Sequence, residues 1–219
     1  MICLRESCLP PYRFMFRSNL SRSLALVALL ALAPGLSGCI GGLALGAGAA
    51  TGVAAAEERG AKNAANDKGI QLAINDVLFR TDLSLYHKLG TMVYEGRVLL
   101  TGVLQSEEQK DKALKLVWSA SDRIIEVIDE VQIHAAGNLI DFSNDAWITG
   151  QLRLKLAGDR EIVDINYSIE TVNATVYLLG LAQSEGELVR VTDHARTIKG
   201  VRRVVSHVWL KTDPRRRPV

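Results

Sequence analysis

Val98-Leu99-Leu100-Thr101-Gly102-Val103-Leu104-Gln105-Ser106-Glu107 returns as Val176-Tyr177-Leu178-Leu179-Gly180-Leu181-Ala182-Gln183-Ser184-Glu185, displaced by 78 residues at every position. In both copies an apolar run passes through a glycine and ends on Gln-Ser-Glu. The period is too long for a solenoid unit and fits two small homologous domains. Working outward, each copy follows one physical script. A helix comes first: Ile70, Ile74, Val77 and Leu78 make one apolar stripe, as do Ile148, Leu152 and Leu156. Two strands follow. Val163, Ile165, Tyr167 and Ile169 alternate with Asp164, Asn166, Ser168 and Glu170, the period of a strand with one wet face. Glu95-Gly96 and Asn173 stand where the hairpins should turn.

A second helix starts at a readable cap. Ser106-Glu107-Glu108-Gln109 and Ser184-Glu185-Gly186-Glu187 both fit a capping box. Leu188, Val191, Ala195 and Ile198 continue as a buried stripe, matched by Ala113, Val117 and Ala120, and Gly200 closes the later helix. A last strand carries Val204, Ser206, Val208 and Leu210 in one copy and Val131 and Ile133 in the other. The order αββαβ, with helices over one face of a small mixed sheet, is an α+β fold: two tandem two-layer sandwiches.

The N-terminus has a different character. Arg17 and Arg22 precede an apolar run from Leu24 to Leu32, closed by Leu36-Ser37-Gly38-Cys39. A basic region, a short apolar region and small residues make a secretory signal. Pro34 and Gly35 leave the run too short and broken for a membrane span. The pattern resembles a bacterial lipobox, which implies that Cys39 becomes the first mature residue and carries acyl chains, palmitate among them. The alternative is an ordinary signal peptide with a chance cysteine. Met15-Phe16-Arg17 makes a more ordinary signal start than Met1, so residues 1–14 read as an extension. Cys3 and Cys8 then leave with the signal, and no disulfide framework or thiolate metal site is expected.

Residues 39–219 hold 22 basic and 23 acidic side chains, so the overall excess of base belongs to the signal. A general nucleic-acid role loses its electrostatic argument. A Gly/Ala-rich stretch to about Asn66 reads as a tether, or as a short helix whose small residues allow close packing. The expected divisions are extension and signal 1–38, lipidated tether 39–66, first domain 67–135, second domain 144–212, and basic tail 213–219. Arg215-Arg216-Arg217 in that tail reads as a solvated end, with membrane or partner contact as the alternative.

The strand-Gly102 and strand-Gly180 motifs, the Ser106 and Ser184 caps, and Ile198-Lys199-Gly200-Val201-Arg202-Arg203-Val204 resemble the BON-domain family. The likeness covers residues 67 to 212. With a lipobox and two copies, the chain is similar to dual-BON outer-membrane lipoproteins, and Asn144-Asp145-Ala146-Trp147-Ile148-Thr149 resembles the start of their second domain. Asp122-Arg123 departs from the pattern where Gly200 stands in the other copy, with one extra residue before the last strand. The resemblance implies a periplasm-facing outer-membrane lipoprotein. It also implies that the second domain binds anionic phospholipid and that the protein supports membrane integrity. Ile40, in place of an aspartate, after Cys39 agrees with an outer-membrane destination in enteric-type sorting.

The expected site is the helix Asp145 to Ala157. Its core stripe leaves Trp147 and Leu154 on a second stripe, with Gln151 and Lys155 between the two, Arg153 beyond the core stripe and Gly150 on the same helix. A Trp beside cations suits a bilayer interface. The alternative is that Trp147 and Leu154 pack against the first domain. A second functional reading makes the chain an adaptor that recruits envelope proteins, such as barrel-assembly or cell-wall machinery. No enzyme is expected. His87, His134, His194 and His207 are scattered, Asp193-His194 lacks a nucleophile elbow, and no Gly-rich phosphate loop opens a helix. No cofactor and no metal are expected.

Overall fold

The computed structural model describes residues 57–134 and 142–216. The first half runs through helix α1 (Gly60–Thr81), a short helix α2 (Leu83–Lys88), strands β1 (Leu89–Tyr94) and β2 (Arg97–Leu104), helix α3 (Glu107–Ser119) and strand β3 (Glu126–Ile133). The second half repeats this with α4 (Phe142–Ala157), a 3-10 turn at Asp164–Asn166, β4 (Tyr167–Val172), β5 (Thr175–Ala182), α5 (Glu185–Arg196) and β6 (Arg203–Leu210). In each sheet the central strand is antiparallel to the first strand and parallel to the last. Both halves are α+β, in the expected αββαβ order.

Three local readings need correction. α1 starts at Gly60, so residues 60–66 are helical and not part of a tether. Ala61, Ala64 and Ala65 favour helix, and buried Asn63 ties its amide to the Arg59 carbonyl. α2 was not anticipated; Asp82 caps it by accepting from the Ser84 and Leu85 N–H groups, and Leu85 fills the core. The strand read from Val163 begins only at Tyr167, where pairing to Gly180 starts. The Glu187 carboxylate takes the Val163 N–H, residues 164–166 coil, and Val163 and Ile165 remain exposed.

The serine caps form as expected. Ser106 accepts from Gln109 N–H and Ser184 from Glu187 N–H. The reciprocal arm reaches one residue further than a capping box requires: Gln109 and Glu187 accept from the N–H groups of Gln105 and Gln183. At the hairpins Glu95, Gly96, Asn173 and Ala174 all have positive φ, between 49° and 74°. Two such residues in a row match the right-handed twist of the flanking strands.

Each sheet covers one core with its helices. In the first half Ile70, Ile74 and Leu78 meet Val98, Leu100 and Val117; in the second Ile148, Leu152 and Leu156 meet Val176, Leu178 and Val191. A third cluster joins the halves through the other sheet faces, with Tyr94 and Leu99 packed on Tyr177, Leu179 and Leu181. The central strands are therefore buried on both faces, which is why the repeated run is continuously apolar and β4 alternates.

The glycine of the repeat has a steric cause. Gly102 and Gly180 have φ of 127° and 146°. A Cβ on either would stand 2.2 Å from the Lys88 carbonyl oxygen or 2.0 Å from that of Asn166. The first strand of each hairpin starts where only a hydrogen fits.

Polar groups fix the docking of the two sheets. Arg97 lies 3.8 Å over the Trp209 ring and donates to the His207 carbonyl and the Glu126 carboxylate. Thr101 donates to Glu170 at 2.7 Å, and His207 meets Glu130 at 2.9 Å. Of the basic tail, Arg216 is held rather than solvated, Arg215 stays largely exposed, and Arg217 lies outside the described residues. Arg216 forms a buried ion pair with Glu95 at 2.7 Å, and the Arg215 guanidinium lies 4.7 Å from the centroid of the Trp209 ring.

Candidate functional site

α4 presents three different surfaces. Ile148, Leu152 and Leu156 are buried in the second core, as their spacing requires. Trp147 and Leu154 lie on the opposite side, 48% and 70% exposed. They are not packed away against the first half, so that alternative describes neither. Arg153 and Lys155 leave the helix on different flanks. Lys155 Nζ donates to the Thr197 hydroxyl beside α5, and Gln151 is half-buried. Arg153 reaches the Ile169 carbonyl at 3.5 Å, a marginal bond, and makes no ion pair among the described residues.

Gly150, Arg153 and Leu154 form one wall of a groove of about 790 Å³. Its other wall is α1 of the first half, through Lys68 and Gln71, with Arg59 just before that helix, and its floor is Met92 and Val93 of β1 with Tyr167 and Ile169 of β4. The six residues expected to make one patch therefore divide. Three line the groove, Trp147 is exposed outside it, Lys155 turns toward α5, and Gln151 is half-buried outside the groove lining. The α1 wall was not read from the sequence. Its residues reach the site only because the two sheets pack face to face, and the doubly apolar central strands were the available signal.

Electrostatics sharpen the groove. Asp67 spends both oxygens on the Glu95 and Gly96 N–H groups and also meets Arg59 at 3.0 Å. Arg59 is further held by Glu57 and lies over the Tyr94 ring. Lys68 is exposed on the rim and makes no ion pair among the described residues. Elsewhere, burial pushes the Glu170 carboxyl above its usual range, with Thr101 pulling it back in part. Arg190 and then His194 hold Asp159 well below that range.

His194 pairs with Asp159 at 2.7 Å, and the Ser184 hydroxyl accepts from the Glu187 N–H. Among the described residues no three His, Cys, Asp or Glu side chains gather as a metal site. No helix among them is long and apolar enough to cross a membrane. Cys39 and the signal lie outside the described residues.

Comparisons with known proteins agree with the internal repeat. The chain is 35% identical over 153 residues to the "Uncharacterized protein in gshII 5'region" of Anaplasma centrale, covering 69% of this chain and 99% of that one. It is 26% identical over 172 residues to "Outer membrane lipoprotein DolP" of Haemophilus influenzae, covering 78% and 87%. It is 25% identical over 118 residues to the "21 kDa hemolysin" of Actinobacillus pleuropneumoniae, covering 54% and 60%. The family model of the BON domain matches twice, at residues 66–135 and 144–211. With two matched segments, each folding as a helix-backed three-stranded sheet, the chain belongs to the BON-domain family.

Proposed function

We propose that this chain is an envelope lipoprotein, acylated at Cys39 and facing the periplasm from the outer membrane. Its second BON domain engages anionic phospholipid and helps keep the membrane intact. Support for the location comes from the lipobox-like Leu36-Ser37-Gly38-Cys39 and from the likeness to a relative named an outer membrane lipoprotein. One observation carries the lipid reading. α4 buries a complete core stripe, yet keeps Trp147 and Leu154 in solvent on the same helix as Arg153, which makes no ion pair among the described residues. An aromatic ring at headgroup depth, a leucine below it and a cation for the phosphate suit an anionic bilayer surface. Tethering through Cys39 raises the effective concentration of that surface, so a weak contact suffices. The role is binding, not catalysis.

The test is vesicle binding by the full chain carrying Cys39→Ser, which removes the acyl anchor. Trp147→Glu is expected to weaken binding to phosphatidylglycerol vesicles by about ten-fold, or about 1.4 kcal/mol, with circular dichroism unchanged. Undiminished binding rejects the site. The adaptor reading has its own observation: Trp118 on α3 of the first half is 49% exposed beside Leu114 and Lys115. Protein adducts from a crosslinker at Trp118 would favour recruitment of barrel-assembly or cell-wall machinery.

A further inference from the structure

Resting on the reading of α4 as a phospholipid contact, we propose that the groove between α1 and α4 holds the headgroup of a single anionic glycerophospholipid drawn from the bilayer. The first domain then supplies half of that site. Two cations that make no ion pair among the described residues face the space from opposite walls: Lys68 from the first domain and Arg153 from the second. A surface that only met a bilayer would need no cation from the first domain. The groove's own acids do not cancel this charge. Asp67 is occupied by two backbone N–H groups and Arg59, which leaves Asp164 at the head of the 3-10 turn as the other carboxylate in the lining.

The apolar lining selects the kind of anion. Partly buried Met92 and exposed Leu154 and Ala157 are the apolar side chains of the lining that solvent still reaches, so a free phosphate would leave them wet, whereas a glycerol backbone with its first acyl carbons covers them. The volume of about 790 Å³ lies within the range of small-molecule sites and admits one headgroup. Leu154 stands 70% exposed on the rim, where the acyl chains would leave the groove toward the bilayer. One lipid touching both domains would also stabilise their docking.

The test uses the full chain in neutral detergent micelles doped with phosphatidylglycerol that carries a spin label near the headgroup. Broadening of backbone amide signals is followed. Signals of Lys68 and Gln71 are expected to broaden together with those of Gly150 and Arg153, at one shared midpoint. Lys68→Glu and Arg153→Glu should each weaken that midpoint by about ten-fold. Lys62→Glu, the same charge change on α1 outside the groove, should move it less than about two-fold. Broadening confined to Trp147 and Leu154, or equal effects of Lys62→Glu and Lys68→Glu, overturns the groove site and leaves the α4 contact standing. Equal affinity for glycerol phosphate alone overturns it as well, because the apolar lining then contributes nothing. Loss of broadening everywhere overturns the phospholipid reading itself.

Discussion

Asp67 and Asp145 occupy the same place in the two repeats and make the same pair of hydrogen bonds. Asp67 accepts from the Glu95 and Gly96 N–H groups, both at 2.8 Å; Asp145 accepts from Asn173 at 2.7 Å and Ala174 at 2.8 Å. Each carboxylate projects from the opening helix of its half and holds the left-handed turn of the hairpin that follows. Both are nearly inaccessible, at 3% and 6%. The turn N–H groups point inward from a two-residue loop and have no strand partner, so the aspartate completes their bonding. Helix and hairpin are thereby fixed to each other before any apolar contact is counted.

Asp145→Ala is expected to destabilise the protein by about 2–4 kcal/mol, because two N–H groups are left buried without acceptors. Asp145→Asn keeps one acceptor oxygen and should cost roughly half of that. Urea denaturation monitored by far-ultraviolet circular dichroism measures both. Equal stability of Asp145→Ala and the parent would mean that water replaces the carboxylate without loss.

Gly180→Ala tests the tight approach of β5 to the start of β4. The added carbon would stand 2.0 Å from the Asn166 carbonyl oxygen at a φ of 146°. Strain and overpacking of about 1–3 kcal/mol each give an expected loss of at least about 2 kcal/mol. Gly102→Ala should cost a similar amount, since its clash is also with backbone. A melting temperature unchanged by either substitution would show that the strand ends shift freely.

These two features mark what could be read from the chain. Gly102 and Gly180 were visible because a glycine inside an apolar run is conspicuous, and the turns at Glu95-Gly96 and Asn173 were visible from their residue types. Ser106 and Ser184 announced their helices by local spacing. The aspartate clamps were not legible, since Asp67 and Asp145 look like ordinary helix acids until the turn 28 residues later folds onto them. α2 hid because its six residues carry one buried apolar side chain, Leu85, and no repeating stripe. The groove hid for a related reason: its walls come from different halves, and no local pattern records how two sheets meet.

Glu170 makes the docking of the halves sensitive to pH. Burial raises its folded-state pKa above the ordinary value of 4.5. A carboxyl raised in this way favours the folded state while protonated, and that advantage is lost as pH rises from about 4.5 through the raised value. Glu170→Gln keeps an acceptor for Thr101 and removes the charge. The variant is therefore expected to match the parent in melting temperature near pH 4 and to exceed it at pH 7. A constant difference across that range would place the Glu170 carboxylate in contact with water.

Arg97 is the residue on which the two sheets turn. It is 4% exposed, lies 3.8 Å over the Trp209 ring, and forks between the His207 carbonyl at 2.8 Å and Glu126 at 2.7 Å. The Glu126 side chain is 46% exposed, so solvent weakens its ion pair; the ring contact and the carbonyl bond carry most of the effect. Arg97→Ala is expected to cost about 2–4 kcal/mol from a stacked cation, a charged hydrogen bond and lost packing. Arg97→Lys should recover less than half of this, because an ammonium cannot stack and fork at once. The accompanying readout is tryptophan emission. Trp118 and Trp147 are already half-exposed, so a red shift on Arg97→Ala would come from Trp209 losing its cover. A variant that lost stability without that shift would place the role of Arg97 within the first sheet instead of between the two.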